Sequence, residues 1–205
     1  VIGVPIGILT AVFMARFCPP WLYKIMKPAT NLMAGIPSVV YGFFGLVILV
    51  PFVRDTFGGR GMSVLTASIL LGLMILPTII SMSEASIRAV PQSYYEGGLA
   101  LGASHERSVF FTVVPAAKSG IFASVVLGVG RAIGETMAVM MVAGNQTVIP
   151  EKITDGVRTL TTNIVMEMGY STDLHREALI ATAVVLFVFI LIINLSFSLL
   201  KRRSK

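Results

Sequence analysis

The stretch "GMSVLTASILLGLMILPTIISMS", residues 61–83, contains no charged side chain between Arg60 and Glu84. A helix needs about 20 mostly apolar residues to cross the hydrocarbon core of a bilayer, and this stretch is long enough. A segment in lipid must satisfy its own backbone hydrogen bonds, which a helix does and an open strand does not. The stretch therefore predicts a transmembrane helix, and it indicates that lipid is the solvent of at least part of the chain.

The composition of the whole chain agrees with a membrane protein. Of its 205 residues, 55% are hydrophobic and only 13% are charged, whereas a soluble domain carries about 25% charged residues. Pro37 and Pro51 are expected to shorten the apolar run that holds them. With residues 61–83, four further runs predict an all-α integral membrane protein with about five transmembrane helices: residues 1–15, 28–53, 119–143 and 178–200.

The positions of lysine and arginine predict the orientation, because cytoplasmic loops carry an excess of these residues. If the first span runs inward, ten of the 16 Lys and Arg residues are cytoplasmic, five are outside and Arg131 lies within the membrane. This orientation places the C-terminus in the cytoplasm and residues 144–177 outside. The net charge of +6 then reflects basic residues beside anionic lipid headgroups, and nucleic acid is not an expected partner.

The chain has few residues that could form a cross-link or a metal site. Cys18 is its only cysteine, so an internal disulfide is excluded. His105 and His175 belong to different regions of the sequence and are expected in surface loops. No metal site is predicted from these three residues.

The cytoplasmic stretch at residues 84–117, "EASIRAVPQSYYEGGLALGASHERSVFFTVVPAA", is too polar to cross a membrane. Its short apolar steps are interrupted by charge and by Gly102. They predict two short helices joined by a turn near Gly102–Ser104, lying along the inner membrane surface and closed by Pro115.

This stretch resembles the cytoplasmic signature of binding-protein-dependent ABC transporter permeases, which is Glu-Ala-Ala, three residues, Gly, nine residues, Ile-x-Leu-Pro. Glu96, Gly102 and Pro115 occupy the signature spacings. The departures are small or apolar residues: Gly97 and Gly98 for the two alanines, and Thr112 and Val114 for Ile and Leu.

The resemblance implies that the loop holds a coupling helix, which docks in a groove of the ATP-hydrolysing subunit. A helix that merely rests on lipid is the alternative interpretation of the same pattern. The residues that the resemblance implies for the contact are Glu96, Leu99, Ala100, Gly102, Ala103 and Ser104.

Two other segments are similar to the phosphate-specific group of these permeases, and closer to its C-type than to its A-type subunit. They are "AGIPSVVYGFFGL", residues 34–46, and "GRAIGETMAVMMVAGN", residues 130–145. The resemblance covers residues 1–205 as one permease domain with the type I ABC importer fold. Full-length members have a further N-terminal span, and Val1 is not a methionine, so we expect a segment before it.

The resemblance also implies the energy source and the partners. The chain has no G-x-x-x-x-G-K-[ST] phosphate loop, so it is expected not to be an enzyme itself and to bind no cofactor. ATP and Mg²⁺ would be used by a dimer of ATP-binding subunits. The other implied partners are a homologous permease, an extracytoplasmic phosphate-binding protein and the lipid of the cell inner membrane.

Two alternative functions stay open at this stage. The transported oxyanion could be sulfate or molybdate rather than phosphate. An ATP-independent secondary transporter or channel is a different class of protein, and the coupling signature argues against it.

Arg131 and Glu135 are charged residues inside an apolar run, where each costs at least about 2.5–3.5 kcal/mol. On one helix, a spacing of four would place them on the same face, where they could pair. Gly130 and Gly134 would allow another helix to approach closely. Arg131 is predicted either to line an anion path, balanced by Glu135, or to form with Glu135 an ion pair that sets the register between helices.

Overall fold

The chain is all-helical in a computed structural model, which describes residues 2–203 and, apart from residues 198 and 200–203, their side chains. No strand occurs among these residues; the one β-bridge joins Gly144 and Val157. Val1, Ser204 and Lys205 lie outside the description. The helices are α1 Gly3–Phe17, α2 Pro20–Gly35, α3 Ser38–Phe57, α4 Val64–Arg88, α5 Gln92–Ala100, α6 His105–Ala116, α7 Lys118–Gly134, α8 Met137–Val142, α9 Leu160–Glu167 and α10 Asp173–Arg203.

Three helices are long and apolar enough to cross a membrane, namely α3, α4 and the part of α10 that ends at Phe197. Helices α6 and α7 form a pair bent by 68°, which counts as a fourth span if the pair crosses as one. Helix α1 is apolar but shorter. The prediction of an all-α membrane protein is thus confirmed, with three or four long spans rather than five.

Two of the predicted spans have different bounds in the structure. In the run 28–53 the long helix α3 begins only at Ser38. Residues 28–35 belong to α2, and Pro37, with an extended ψ of 143°, separates the two helices. The run 119–143 is interrupted after Gly134, and α8 begins at Met137. Pro51 does not shorten α3, because a π-helical turn at Gly45–Leu49 precedes it and the helix continues to Phe57. A wider turn of this kind accommodates the missing amide and the bulk of proline.

The chain divides into two compact units. The first unit comprises Val1–Gly35, Ile75–Val129 and Phe197–Lys205. Its core joins α1 to the end of α4 and to α6, and its ring pair Phe122–Phe197 has centroids 5.6 Å apart. The buried core residues of this unit include Ala11, Val12, Ile87, Val90, Val109, Val113, Ala117 and Ile121.

The second unit comprises Ile36–Met74 and Gly130–Ser196. Helix α8 packs on α3, and the loop at residues 151–155 covers the start of α4: the amides of Val64 and Leu65 donate to the carbonyls of Asp155 and Ile153, at 2.9 and 2.8 Å. These bonds satisfy amides that have no partner within their own helix. Its buried core residues include Tyr41, Val50, Ala67, Leu70, Met74, Ala138, Val139, Val142 and Ala143.

Candidate functional site

The loop between α4 and α7 contains a helix, a tight turn and a second helix, as the sequence predicts. Helix α5 ends in a Schellman motif, in which the amide of Ala103 donates to the carbonyl of Gly98 at 3.2 Å and the amide of Gly102 to that of Leu99 at 2.9 Å. Gly102 takes the left-handed position of the motif, with φ of +80°. Ser104 then caps α6 by accepting from the amide of Arg107 at 3.3 Å. Residues 84–88 are still part of α4.

The surface of α5 and of the turn that follows it is open. Helix α5 has no buried residue, and Leu101 at its end is 91% exposed. No atom lies within 4 Å of the place where a Cβ at Gly102 would be, so the backbone angle rather than a clash within the chain requires glycine there. Of the six predicted contact residues only Ala103 is half-buried; the exposed ones are Glu96, Leu99, Ala100, Gly102 and Ser104.

Helix α5 is held to α6 by a close contact that explains a departure from the signature. A Cβ at Gly98 would lie 2.6 Å from Oγ and 3.1 Å from Cβ of Ser108, which is buried. Glycine at this position therefore lets the two helices approach. No atom lies within 4 Å of a Cβ at Gly97, the other glycine that replaces a signature alanine.

The loop is also bonded to the end of α1. Arg16 donates to the side chain of Gln92 at 3.2 Å and to the carbonyl of Ile87 at 3.3 Å. The hydroxyl of Tyr95 is 2.8 Å from Nδ1 of His105, whose ring also meets Phe17 edge-on at 4.8 Å. His105 is thus half-buried in helix α6, and its predicted place in a surface loop is wrong.

Glu84 forms an ion cluster that the sequence patterns did not predict. This carboxylate is 1% exposed. Its Oε1 accepts from the Tyr23 hydroxyl at 2.7 Å and from Arg88 Nε at 2.8 Å, and its Oε2 from Lys27 Nζ at 2.6 Å. Since a buried charge is costly without partners, these three groups are what allows Glu84 to lie inside the first unit.

The cluster joins three helices. Arg88 also donates to the carbonyl of Met14 at 2.9 Å, and its guanidinium lies over the ring of Tyr23 at 4.5 Å. The hydrogen bond to Glu84 is the main cause of a raised pKa of the Tyr23 hydroxyl. The only signal in the sequence was the spacing of four between Glu84 and Arg88, which suits a pair on one helix face.

Arg131 and Glu135 do not lie on one continuous helix, so the pairing on one helix face that their spacing predicts is wrong. Arg131 is exposed in the last turn of α7, and Glu135 follows the end of that helix. Glu135 Oε1 accepts from the amide of Ala138 at 3.1 Å, so it satisfies an amide in the first turn of α8. Within residues 2–203, no three His, Cys, Asp or Glu side chains come together as metal ligands.

Gly130 and Gly134 face open space, since no atom lies within 4 Å of a Cβ built at either residue. The glycines of α7 that pack are Gly120, where a Cβ would lie 2.5 Å from Ser86 Cβ, and Gly128, where it would lie 3.0 Å from Ile79 Cγ1. Any helix that uses the Gly130–Gly134 face would have to come from outside the described chain.

Arg158 connects two parts of the segment that follows α8. The guanidinium of Arg158 donates to the carbonyl of Asn145 at 3.1 Å and to Glu167 at 2.8 Å. Helix α9 is capped by Thr159, whose side chain accepts from the amide of Thr162. Thr161 Oγ1 donates to the carbonyl of Glu135 at 3.4 Å, so α9 contacts the break between α7 and α8.

Comparison with known proteins gives a family and several relatives. The model of the family described as "Binding-protein-dependent transport system inner membrane component" matches residues 3–205. The chain is 44% identical over 200 residues to "Probable ABC transporter permease protein YqgH" of Bacillus subtilis (strain 168), covering 94% of this chain and 65% of that protein. It is 30% identical over 226 residues to "Phosphate transport system permease protein PstC" of Pasteurella multocida (strain Pm70), covering 100% of this chain and 71% of the relative.

A second protein of that name, from Mesorhizobium japonicum, is 33% identical over 94% of this chain and 65% of its own length. The chain thus spans about two thirds of these relatives. Its fold is similar to a solved structure titled "Inward facing conformations of the MetNI methionine ABC transporter: CY5 native crystal form", with a TM-score of 0.77 and 20% identity over 99% of this chain and 88% of the other. At that identity the likeness shows the fold, which is that of a type I importer permease.

Proposed function

The chain belongs to the family of binding-protein-dependent transport system inner membrane components, and on that premise we propose that it is the translocating permease subunit of an ATP-driven importer of inorganic phosphate. The observation that carries the proposal is the exposed α5–α6 loop. In this loop Gly102, which has the signature spacing in the sequence, occupies the left-handed position of the Schellman motif. The names of the relatives from Pasteurella and Mesorhizobium support phosphate as the substrate.

The α5–α6 loop is the proposed docking element for a separate ATP-binding subunit dimer. Helix α5 packs on α6 through Gly98 but has no buried residue, so most of its surface is available to another chain, and its small residues allow close approach. A shallow, open surface depression lined by Ser104, Arg107 and Phe111 adjoins the turn and adds to the surface available to that partner. ATP and Mg²⁺ would be bound by the partner, because this sequence has no phosphate loop of its own.

Arg131 is the proposed contact for the anion. It is exposed at the end of α7, and a guanidinium offers a fork of donors that matches two phosphate oxygens. Glu135 lies at the adjoining helix break, where its charge would offset that of Arg131 when no anion is bound. The open Gly130–Gly134 face is proposed as the contact with a homologous permease subunit, and an extracytoplasmic phosphate-binding protein would deliver the anion.

The proposed orientation places the α5–α6 loop and the C-terminus in the cytoplasm and α9 outside. Two residues of nearly equal exposure test it: Leu101 at 91% and Tyr170 at 89%. With Cys18 replaced by Ser, Tyr170→Cys should react with an impermeant thiol reagent on intact cells, and Leu101→Cys should react only after lysis. The reverse labelling would invert the orientation.

Gly102→Val tests the docking role, because a β-branched residue disfavours the left-handed turn that ends α5. We expect the variant chain to reach the membrane but to lose co-purification with the ATPase and to lose uptake. Gly97→Ala is the control, since this position is helical and has open space for a Cβ. Normal co-purification and uptake by Gly102→Val would contradict the role assigned to the loop.

The identity of the oxyanion is tested by uptake of labelled phosphate, sulfate and molybdate in vesicles that contain the whole complex. Phosphate alone should be transported, and unlabelled sulfate in excess should not compete. If sulfate were transported and phosphate were not, the permease assignment would stand and sulfate would replace phosphate as the substrate. Uptake without the ATPase or without ATP would instead point to a secondary transporter.

A further inference from the structure

Helix α2 has two faces of different chemistry. On one face Tyr23 and Lys27, one turn apart, donate to Glu84, and Thr30 on the same face is 7% exposed. With 3.6 residues per turn, the positions two residues before Tyr23 and Lys27 lie on the opposite side of the helix. Trp21 and Ile25 occupy those positions, and they are 66% and 61% exposed.

The exposed apolar side continues along the helix. Pro28 and Leu32 follow Ile25 at spacings of three and four, and Leu32 is 73% exposed. We use the term apolar stripe for Trp21, Ile25, Pro28 and Leu32. Two of the three side chains that donate to Glu84 come from α2, so the Glu84 cluster fixes the rotation of this helix about its axis. The apolar stripe is thereby kept on the side of α2 that faces away from α4.

The charged residues of α2 are all basic. The sequence of α2, "PWLYKIMKPATNLMAG", contains Lys24 and Lys27 but no acid, and Lys24 is exposed. Lys27 is bonded to Glu84 on the other face of the helix, so Lys24 is the charged residue of α2 that is available to a partner beside the stripe.

We propose that α2 is an interfacial helix that binds the surface of the bilayer, with the apolar stripe among the acyl chains and Lys24 on anionic phospholipid headgroups. An amphipathic helix with basic residues and a tryptophan is suited to this position. A lysine can extend from the apolar level to the headgroups while its stem stays in lipid. The exposed Lys24 and the absence of acids from α2 favour an anionic lipid surface. A protein surface that carries acidic and basic residues would present some basic residues that find no acid on this helix.

Trp21 is the only tryptophan of the 205 residues, and it provides a direct probe. The full chain is reconstituted in vesicles of phosphatidylcholine or phosphatidylglycerol whose acyl chains carry bromine either near the headgroup or near the methyl end. The fluorescence of a Trp21→Phe chain is subtracted, so that only Trp21 is measured. We expect stronger quenching by bromine near the headgroup, and stronger quenching by brominated phosphatidylglycerol than by brominated phosphatidylcholine.

Lys24→Gln should reduce the preference for phosphatidylglycerol about fivefold, the factor that corresponds to one lysine near a charged membrane surface. Lys118→Gln, which removes an exposed lysine from α7 of the same unit, is the matched control and should leave the preference at Trp21 unchanged. The measurement needs no transport and no ATPase, so its result is independent of the proposed phosphate function.

Three results would overturn the proposal. Absence of quenching by any brominated lipid would place Trp21 away from the bilayer. Equal quenching by the two lipids would show that α2 has no preference for an anionic headgroup. Loss of lipid quenching when the homologous permease is added would assign the stripe to a protein contact.

Discussion

The two parts of helix α7 differ in what they contact, although the helix is continuous. In the part that belongs to the first unit, Gly120 and Gly128 pack closely on α4, and the Ser124 hydroxyl lies 2.7 Å from that of Ser83. In the part that belongs to the second unit, Gly130 and Gly134 have no atom within 4 Å of a built Cβ. Small residues at helical spacing therefore do not by themselves identify a packed face.

The helical geometry explains the difference. Gly120, Ser124 and Gly128 recur every four residues and share one face, whereas Gly130 lies two positions after Gly128 and so on the opposite side. The charged side chains of the two units also differ in their burial. In the first unit Glu84 is buried and bonded to three side chains, while Arg131, after Gly130, is exposed. The first part of α7 packs closely on α4, whereas the two glycines of the second part have no atom of the described chain within 4 Å of a built Cβ.

The largest effect on stability is expected from Glu84→Ala. Removing one partner of a buried ion pair costs roughly 3–5 kcal/mol, and we expect about 3 kcal/mol because Lys27 and Arg88, 32% and 45% exposed, can still reach water. The measurement is the free energy of unfolding in detergent. Glu106→Ala, at an exposed carboxylate, is the control and should change it little. An equal effect of both substitutions would mean that the cluster does not hold the first unit together.

A smaller loss is expected from Gly120→Ala, because the new Cβ would meet Ser86, whose own Cβ is 2.5 Å away. Overpacking of this kind costs about 1–3 kcal/mol, and the double variant Gly120→Ala with Ser86→Gly should recover most of it. Gly134→Ala should leave the stability of the isolated chain within about 0.5 kcal/mol of the original. If Gly134→Ala were the more destabilising variant, the division of α7 into a packed and an open part would be wrong.

The smallest effect concerns Glu135, and it separates two roles. Glu135→Ala loses the acceptor for the amide of Ala138 and should destabilise the chain by about 1 kcal/mol. Glu135→Gln keeps an oxygen for that amide but removes the charge, so it should be nearly as stable as the original. Reduced phosphate uptake by Glu135→Gln, with normal assembly, would assign a role to the charge itself. Full uptake by Glu135→Gln would leave only the structural role at the start of α8.

Local patterns predicted the parts of the structure that depend on local physics. The turn at Gly102 follows from a glycine between two short helical patterns, and the apolar runs lead to α4 and α10 because length and hydropathy suffice there. The resemblance implied six residues that contact a partner, of which five are exposed, but it did not reveal why residue 98 is a glycine. That reason is Ser108 of the next helix.

Contacts between distant residues were not predictable from local patterns. Tyr23 and Lys27 lie 61 and 57 residues from Glu84 in the sequence, and no periodicity connects them. The break after Gly134 was missed because the residues around Glu135 are as apolar as a helix in lipid. The same break changes the interpretation of Arg131, since Glu135 is bonded to the start of α8 rather than placed one turn along the same helix.

The proposed role of Arg131 in anion transport is tested most directly by phosphate uptake into proteoliposomes that contain the permeases, the ATPase dimer and the binding protein, with ATP supplied. Arg131→Gln should assemble with its partners at the original level and lose uptake. Arg131→Lys should restore uptake only in part, because an ammonium group cannot form the two parallel hydrogen bonds of a guanidinium. Uptake by assembled Arg131→Gln at the rate of the original chain would contradict the anion path.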